Sequence, residues 1–324
     1  MIGLAAQAPS RPRDQLKIGL VNNMPDAALA ATERQFRELL AEAGCGADIQ
    51  LRLYALAGVK RGERANAFME GRYAPAEACA DDELDGLIVT GAEPKEADLR
   101  DEPYWPAFAR LVDWADDAGV PSVWSCLAAH AAVLQLDGVR RRVLPRKLSG
   151  VFVSEPARAD PLLAGAPAQI TPHSRLNEVA EDDLVRRGYR ILTRSREAGV
   201  DAFVRRDRSP QLFLQGHPEY DADSLAREYA RDVSRYLAGE RTTFPQTPHG
   251  YLDRRTEEAL AQLARRALRR PTPDLNALVQ VALSMAAPRR SWRASGLCLF
   301  NNWLSEAAGR PLSEPASWTA AQSA

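Results

Sequence analysis

Apolar positions recur along this chain in two rhythms. Leu16 to Asn22 is a short apolar run, and Ile49 to Leu56 alternates apolar and polar residues with the period of two of a half-buried strand. Thr32 to Ala43 instead carries its apolar residues at helical spacing. The alternation continues with a strand over Asp85 to Ala92, a helix over Tyr104 to Ala118, the apolar run Pro121 to Ser125 and a helix-forming stretch from Leu127 to Leu136. Repeated strand-helix units of this length predict an α/β fold, a mostly parallel, doubly wound sheet with helices on both faces. In such sheets sites form beyond the carboxyl ends of strands, and Gly91, Cys126 and His217 all fall there.

After Lys147 the texture changes to shorter strand-like pieces, over Leu148 to Ser154, Ala168 to Thr171, Tyr189 to Arg194, Val200 to Arg205 and Gln211 to Gln215. These predict antiparallel extensions of the same sheet. A helix is expected over Asp223 to Ala238, and Thr242 to Gly250, with Pro245, Pro248 and Gly250, breaks regularity as a linker or surface crossing. Arg254 to Arg270 and Pro273 to Ala286 then read as two helices. The expected organisation is a flexible start over 1–15, a catalytic domain over 16–250, a helical C-terminal segment over 251–310 that packs on it, and a tail over 311–324.

Composition narrows the partners. The 42 Lys and Arg nearly cancel the 43 Asp and Glu, so no global field recruits nucleic acid or a membrane surface, and small molecules are the expected partners. Cys45, Cys79, Cys126 and Cys298 are scattered and form no CxxC pair, which suggests neither a metal knuckle nor a disulfide framework and fits a reducing cytoplasm. No signal-like start or run of about 18 apolar residues is present, so export and membrane insertion are not expected. Seven arginines, Arg265, Arg266, Arg269, Arg270, Arg289, Arg290 and Arg293, read as a solvated helix face.

Cys126 stands between the strand ending at Ser125 and the helix beginning at Leu127. A thiol at such a turn sits at the positive end of the helix macrodipole, which favours the nucleophilic thiolate, although a free cysteine is more commonly a buried small hydrophobe. A second apolar run ends in His217-Pro218-Glu219. In an extended segment residues two apart share a side, so His217 reads as a base and Glu219 as its orienting partner, and with Cys126 they form a candidate triad.

These residues lie within words that resemble the homoserine O-acyltransferase family of methionine biosynthesis. The likeness covers Val21-Asn22-Asn23-Met24-Pro25-Asp26, Thr32-Glu33-Arg34-Gln35-Phe36, Asp85 to Ala92, Tyr104-Trp105-Pro106, Lys147 to Phe152, Pro172-His173-Ser174-Arg175, Gly216 to Asp221, Arg231-Asp232, Ser291-Trp292-Arg293 and Leu299 to Leu304. It implies a class I glutamine-amidotransferase-like (flavodoxin-like) fold and acyl transfer from acyl-coenzyme A to the hydroxyl of L-homoserine; the charge of Lys95, and not the resemblance, favours succinyl over acetyl. Acyl-coenzyme A is then a substrate and no cofactor or metal is expected; the oligomeric state is open, with a homodimer as one option. The resemblance implies that Cys126 accepts the acyl group, that His217 is the base and Glu219 its partner, and that Lys147, Ser174 and Arg231 contact the amino acid. The chemistry agrees, since a carboxylate suits the planar fork of an arginine and the point charge of a lysine.

The chain departs from the family pattern in two places. Leu127 and His130 stand where members typically carry Trp and Gln; the Leu127 N–H still serves an oxyanion, and His130 reads as a core or capping histidine rather than a second group near the thiolate. Lys95 stands at the position associated with donor choice, usually Gly for succinyl or Glu for acetyl, where an ammonium either pairs with the distal carboxylate of a succinyl group or turns out to solvent. The stretch from about Tyr251 to Pro288 has no counterpart in shorter members, and Trp292 and Trp303 are candidates for keeping water from the thioester. Three other readings stay open: transfer to serine or another hydroxy-amino acid, a glutaminase passing ammonia to a partner, and a binding protein that has lost catalysis.

Overall fold

A computed structural model describes residues 15–44, 47–286 and 288–309; Cys45 and nearly all of both expected tails lie outside them. Along the chain the first half runs β1 (Gln15–Val21), α1 (Asp26–Ala43), β2 (Asp48–Ala55), α2 (Glu63–Met69), β3 (Ala74–Pro75), β4 (Gly86–Val89), α3 (Trp105–Asp117), β5 (Ser122–Ser125) and α4 (Leu127–Asp137). The second half runs β6 (Arg142–Pro156), β7 (Gln169–Glu178), α5 (Glu181–Arg186), β8 (Arg190–Ser195), β9 (Gly199–Arg206), β10 (Pro210–Leu214), α6 (Ser224–Leu237), α7 (Arg254–Arg269), α8 (Asp274–Ser284) and α9 (Arg293–Ala307).

The ten strands form one sheet in the order β3-β2-β1-β4-β5-β10-β9-β8-β6-β7. Neighbours from β3 to β10 are parallel, and every pair from β10 onward is antiparallel. The predicted mixture of parallel core and antiparallel extension is therefore present. Alternate residues of the central strands face opposite layers: Leu87, Val89 and Trp124 pack under α3 and α4, whereas Ile88 and Val123 pack with α1 and α9. Trp303 of α9 lies so close to β4 that a Cβ on Gly86 would stand 2.8 Å from its ring. A third cluster joins α6, α7 and α8 around Tyr220, Leu260 and Trp292.

Several elements differ from expectation. Strand β7 continues past Thr171 to Glu178 because it pairs with β6 along its length, and Pro172 is tolerated there because β7 is the sheet edge. Helix α9 lies inside the expected helical segment but gives no periodic signal of its own, because it is buried on nearly all sides, between α1 and the sheet, so its apolar residues do not form a single stripe. The short helices α2 and α5 gave too few residues for a periodic signal. Around 250 the expected surface crossing is pinned: His249 makes a parallel bridge to Gly150 of β6, whose φ of +150° leaves no room for a side chain against the His249 backbone.

Candidate active site

Cys126 alone makes the turn between β5 and α4. Its φ of 53° and ψ of −113° are unfavourable for any residue with a side chain, a strain of about 1–3 kcal/mol that the surroundings must hold. They do so from both sides. The Cys126 N–H donates to the Leu214 carbonyl of β10 at 2.7 Å. The loop after β4 approaches so closely that a Cβ on Gly91 would fall 2.5 Å from Leu127 Cβ, which only glycine permits. That loop is in turn tied to the segment after β1, where Asn23 donates from its backbone to Thr90 Oγ1 at 2.8 Å and from its amide to the Thr90 carbonyl at 3.0 Å. The sulfur thus stands at the opening of α4, among N–H groups without acceptors inside the helix, the Leu127 N–H first.

His217 and Glu219 follow β10 in a turn rather than in the extended segment expected from sequence. The side chains meet nevertheless, with His217 Nδ1 at 2.8 Å from Glu219 Oε1. Both are buried, and they line the cleft with Cys126, whose sulfur interacts electrostatically with the imidazole. Burial by itself would lower the His217 pKa; the Cys126 sulfur and the Glu219 carboxylate outweigh it and raise the pKa well above the ordinary value. Tyr220 stacks on the His217 ring at 4.2 Å between centroids and donates its hydroxyl to Glu228 Oε1 at 2.7 Å. From below, Arg290 Nε and Trp292 Nε1 donate to the Tyr220 carbonyl at 2.8 and 3.0 Å, and Arg290 also reaches the Glu219 carbonyl at 3.3 Å.

The opposite wall is a network of paired charges. Lys147 sits where the register of β6 against β7 shifts, and its Nζ lies 2.9 Å from Asp232 Oδ2 and 3.5 Å from Glu228 Oε2. Ser174 of β7 donates to Glu228 Oε2. Arg231 and Arg241 reach Asp232 at 3.3 and 3.0 Å. Burial would raise the pKa of both acids, but Lys147, with Ser174 and Tyr220 for Glu228 and with Arg231 and Arg241 for Asp232, lowers them. Triad and network line one cleft of about 430 Å³.

Seven of the eight residues singled out from sequence therefore meet: Cys126, Leu127, Lys147, Ser174, His217, Glu219 and Arg231. Lys95 does not join them. It is exposed and outside the lining, its backbone N–H donates to Glu102, and the cleft is lined from this loop by Glu93 and Pro94. Two other expectations change. Neither Trp292 nor Trp303 lines the cleft; both are packed beneath it. Arg290 and Arg293 are not a solvated face, since Arg293 pairs with Glu42 and Arg290 holds the triad turn. Arg265, Arg266, Arg269 and Arg270 line a separate recess of about 460 Å³ that shares no residue with the cleft.

His130 lines the cleft but is 2% exposed. Gln215 Oε1 accepts from the Val179 N–H at 3.0 Å, and its amide donates to the Val200 carbonyl at 2.8 Å, which fixes Oε1 as the acceptor toward His130 Nε2 at 2.9 Å. The His130 proton therefore sits on Nε2, and burial pushes the pKa down to about 3. That is a core histidine and not a second base.

Sequence reasoning missed Glu228, Tyr220 and Arg175. Glu228, Arg231, Asp232 and Arg235 recur at helical spacing on α6, a charged stripe that points the same way as Arg231 and was open to detection. Among the described residues no group of three or more His, Cys, Asp or Glu is arranged to hold a metal ion, and no helix is long and apolar enough to cross a membrane.

Comparison with known proteins identifies a family and a fold. Residues 4–309 match the family model described as homoserine O-succinyltransferase. The chain is 48% identical over 308 residues to the homoserine O-succinyltransferase of Methylorubrum extorquens, covering 93% of this chain and 89% of that protein. It is 46% identical over 298 residues to that of Rhodopseudomonas palustris, covering 91% of this chain and 89% of the other. Among solved structures, a glutamine amidotransferase from Methylobacillus flagellatus superposes with a TM-score of 0.50 at 16% identity, over 90% of this chain and 95% of that one, a likeness of fold alone.

Proposed function

The chain belongs to the homoserine O-succinyltransferase family, and on that premise we propose that it is an acyltransferase of methionine biosynthesis that moves a succinyl group from coenzyme A to the hydroxyl of L-homoserine through an acyl-enzyme on Cys126. The observation that carries this reading is the meeting, in one cleft, of a sulfur at a helix start, an imidazole-carboxylate pair and a wall bearing both signs of charge.

The Cys126 sulfur attacks the thioester carbonyl, and the Leu127 N–H stabilises the oxyanion that forms. One such donor is worth about 10² to 10³ in rate. Coenzyme A leaves as its thiol, taking the proton that His217 carries. His217 then accepts the proton of the homoserine hydroxyl as that oxygen attacks the acyl carbon, and the Cys126 sulfur departs with O-succinyl-homoserine released. Glu219 Oε1 holds His217 by Nδ1, so that Nε2 is turned to the reacting atoms. An acceptor with one carboxylate and one ammonium matches a wall in which Arg231 and Lys147 alternate with Glu228 and Asp232.

The succinyl donor is supported by the names of the relatives and by the cations on the cleft wall rather than by Lys95. The test is a panel assay of purified protein with succinyl- and acetyl-coenzyme A against homoserine, serine and glutamine. Thiol release that requires homoserine and prefers succinyl-coenzyme A is expected. Release of glutamate from glutamine, or preference for serine, would overturn the proposal.

A further inference from the structure

Three charged or titratable groups lie behind the cleft wall without a part in the reaction just described: His173 and Arg175 on β7 and Asp201 on β9. All three are buried, His173 completely. His173 Nε2 lies 3.2 Å from Asp201 Oδ1, a close electrostatic contact rather than an aligned hydrogen bond, while Asp201 Oδ2 accepts from the hydroxyls of Thr171 and Thr193 at 2.9 and 3.0 Å. On its other edge, Nδ1 faces Arg175 Nε at 3.3 Å. A guanidinium has donors and no acceptor, so Nδ1 must offer its lone pair, and the single ring proton belongs on Nε2, toward the carboxylate. The ring is thus neutral and in one tautomer.

Arg175 also donates from its two terminal nitrogens to the Asn177 carbonyl at 3.0 Å and to the Ala198 carbonyl, and Glu178 Oε2 stands 3.7 Å away in a looser ion pair. Its guanidinium shares the cleft lining with Cys126 and interacts electrostatically with the sulfur. A buried cation is costly unless something holds it there. The same acid also supports the base: the Asp201 carbonyl accepts from the Gln215 N–H at 2.8 Å, and a Cβ on Gly216 would stand 3.0 Å from Asp201 Oδ1.

We propose that Asp201 and His173 are a positioning pair, in which the carboxylate fixes the ring tautomer and the ring holds the Arg175 guanidinium beside Cys126 to offset negative charge on the sulfur. The role of Cys126 rests on the function proposed above; the tautomer and the Arg175 contact do not. The other groups facing the sulfur are His217 and Tyr220 after β10 and the Leu127 N–H of α4.

Two measurements decide it. The chain has 4 histidines, so ¹⁵N-histidine NMR of the full chain can resolve His173. Its Nδ1 is expected to be unprotonated and its Nε2 protonated at neutral pH; an Nδ1–H ring or a doubly protonated ring would overturn the pair. The second is the alkylation rate of Cys126 by iodoacetamide at pH 7, read by mass spectrometry. Arg175→Gln and His173→Leu should each slow it roughly tenfold. His173→Asn, whose side-chain oxygen falls near the place of Nδ1, should restore most of it. A native rate in Arg175→Gln, or equal slowing in the Leu and Asn variants, would also overturn the proposal. If His173→Leu fails to fold, the Asn variant and the native NMR spectrum still decide. Absence of alkylation in the native protein would refute the nucleophile reading, while the tautomer would still be read from the spectrum.

Discussion

In the parallel half of the sheet, from β3 to β10, the cleft is made by backbone: a strained turn at Cys126, a glycine that admits the neighbouring loop, and the turn after β10 that sets His217 Nδ1 2.8 Å from Glu219 Oε1. In the antiparallel half and on α6 it is made by side chains, where Lys147, Ser174, Glu228, Arg231 and Asp232 hold one another by charge. On the proposed function the first half would supply chemistry that tolerates little change in position. The second would supply recognition, distributed over several partners, so single losses there should weaken binding before they stop the reaction.

The largest expected effect is on the backbone side. Cys126→Ala should lower turnover by at least about 10⁴-fold while leaving the fold intact, and mass spectrometry should find a succinyl adduct on native Cys126 after exposure to donor alone. An active Ala variant would break the contrast at its root. Next, His217→Asn should cost about 10² to 10⁴ in kcat, the range of general base assistance. Glu219→Gln, which loses orientation and charge but no proton acceptor, should cost about 10- to 100-fold. Steady-state kinetics giving the reverse order would exchange their roles.

On the side-chain wall, Arg231→Ala and Lys147→Ala should each lower kcat/KM for homoserine by roughly 10- to 100-fold, mainly through KM, with acyl-enzyme formation on donor alone unchanged. Loss of acylation in either variant would move that residue to the donor side.

The two halves should also differ in pH response. The raised His217 pKa contributes stability that is complete below about 6.5 and lost as pH rises through the folded value. The lowered pKa values of Glu228 and Asp232 contribute stability present above about 4 and lost as pH falls through their folded values. Lys147→Ala should therefore lower Tm at pH 7, with the gap closing below about pH 4, while in Cys126→Ala the His217 resonance should titrate at lower pH. A Tm gap that persists in acid would mean that Lys147 acts by packing. The smallest effect is expected from Lys95→Glu. From an exposed site its charge is screened, so the succinyl-to-acetyl ratio of kcat/KM should fall only about two- to fivefold.

Legibility from sequence follows the same division. Strands β1, β4, β5 and β10 and the residues at their ends announce themselves, because short apolar runs that end in a turn, a helix start or a His-Pro pair leave short-range marks. The wall does not, because Glu228 and Lys147 are 81 positions apart and their pairing is decided by how α6 crosses the sheet. Lys95 shows the limit of reading a position by its place in a motif: a loop turned by Glu102 sends that side chain outward and Glu93 inward. His130 was legible only as buried or capping; its tautomer required Gln215, 85 residues away.

The grip of Arg290 and Trp292 on the Tyr220 carbonyl bears on how the enzyme is born. Arg290 is made 70 residues after Tyr220, an interval of about 4 to 14 s at the usual pace of translation. During that interval the strands that bear the triad exist, but the turn joining them to α6 lacks its last hydrogen bonds. The nascent chain is therefore a sheet with an unfinished site, and a truncation before Arg290 removes the closing clasp rather than a dispensable tail.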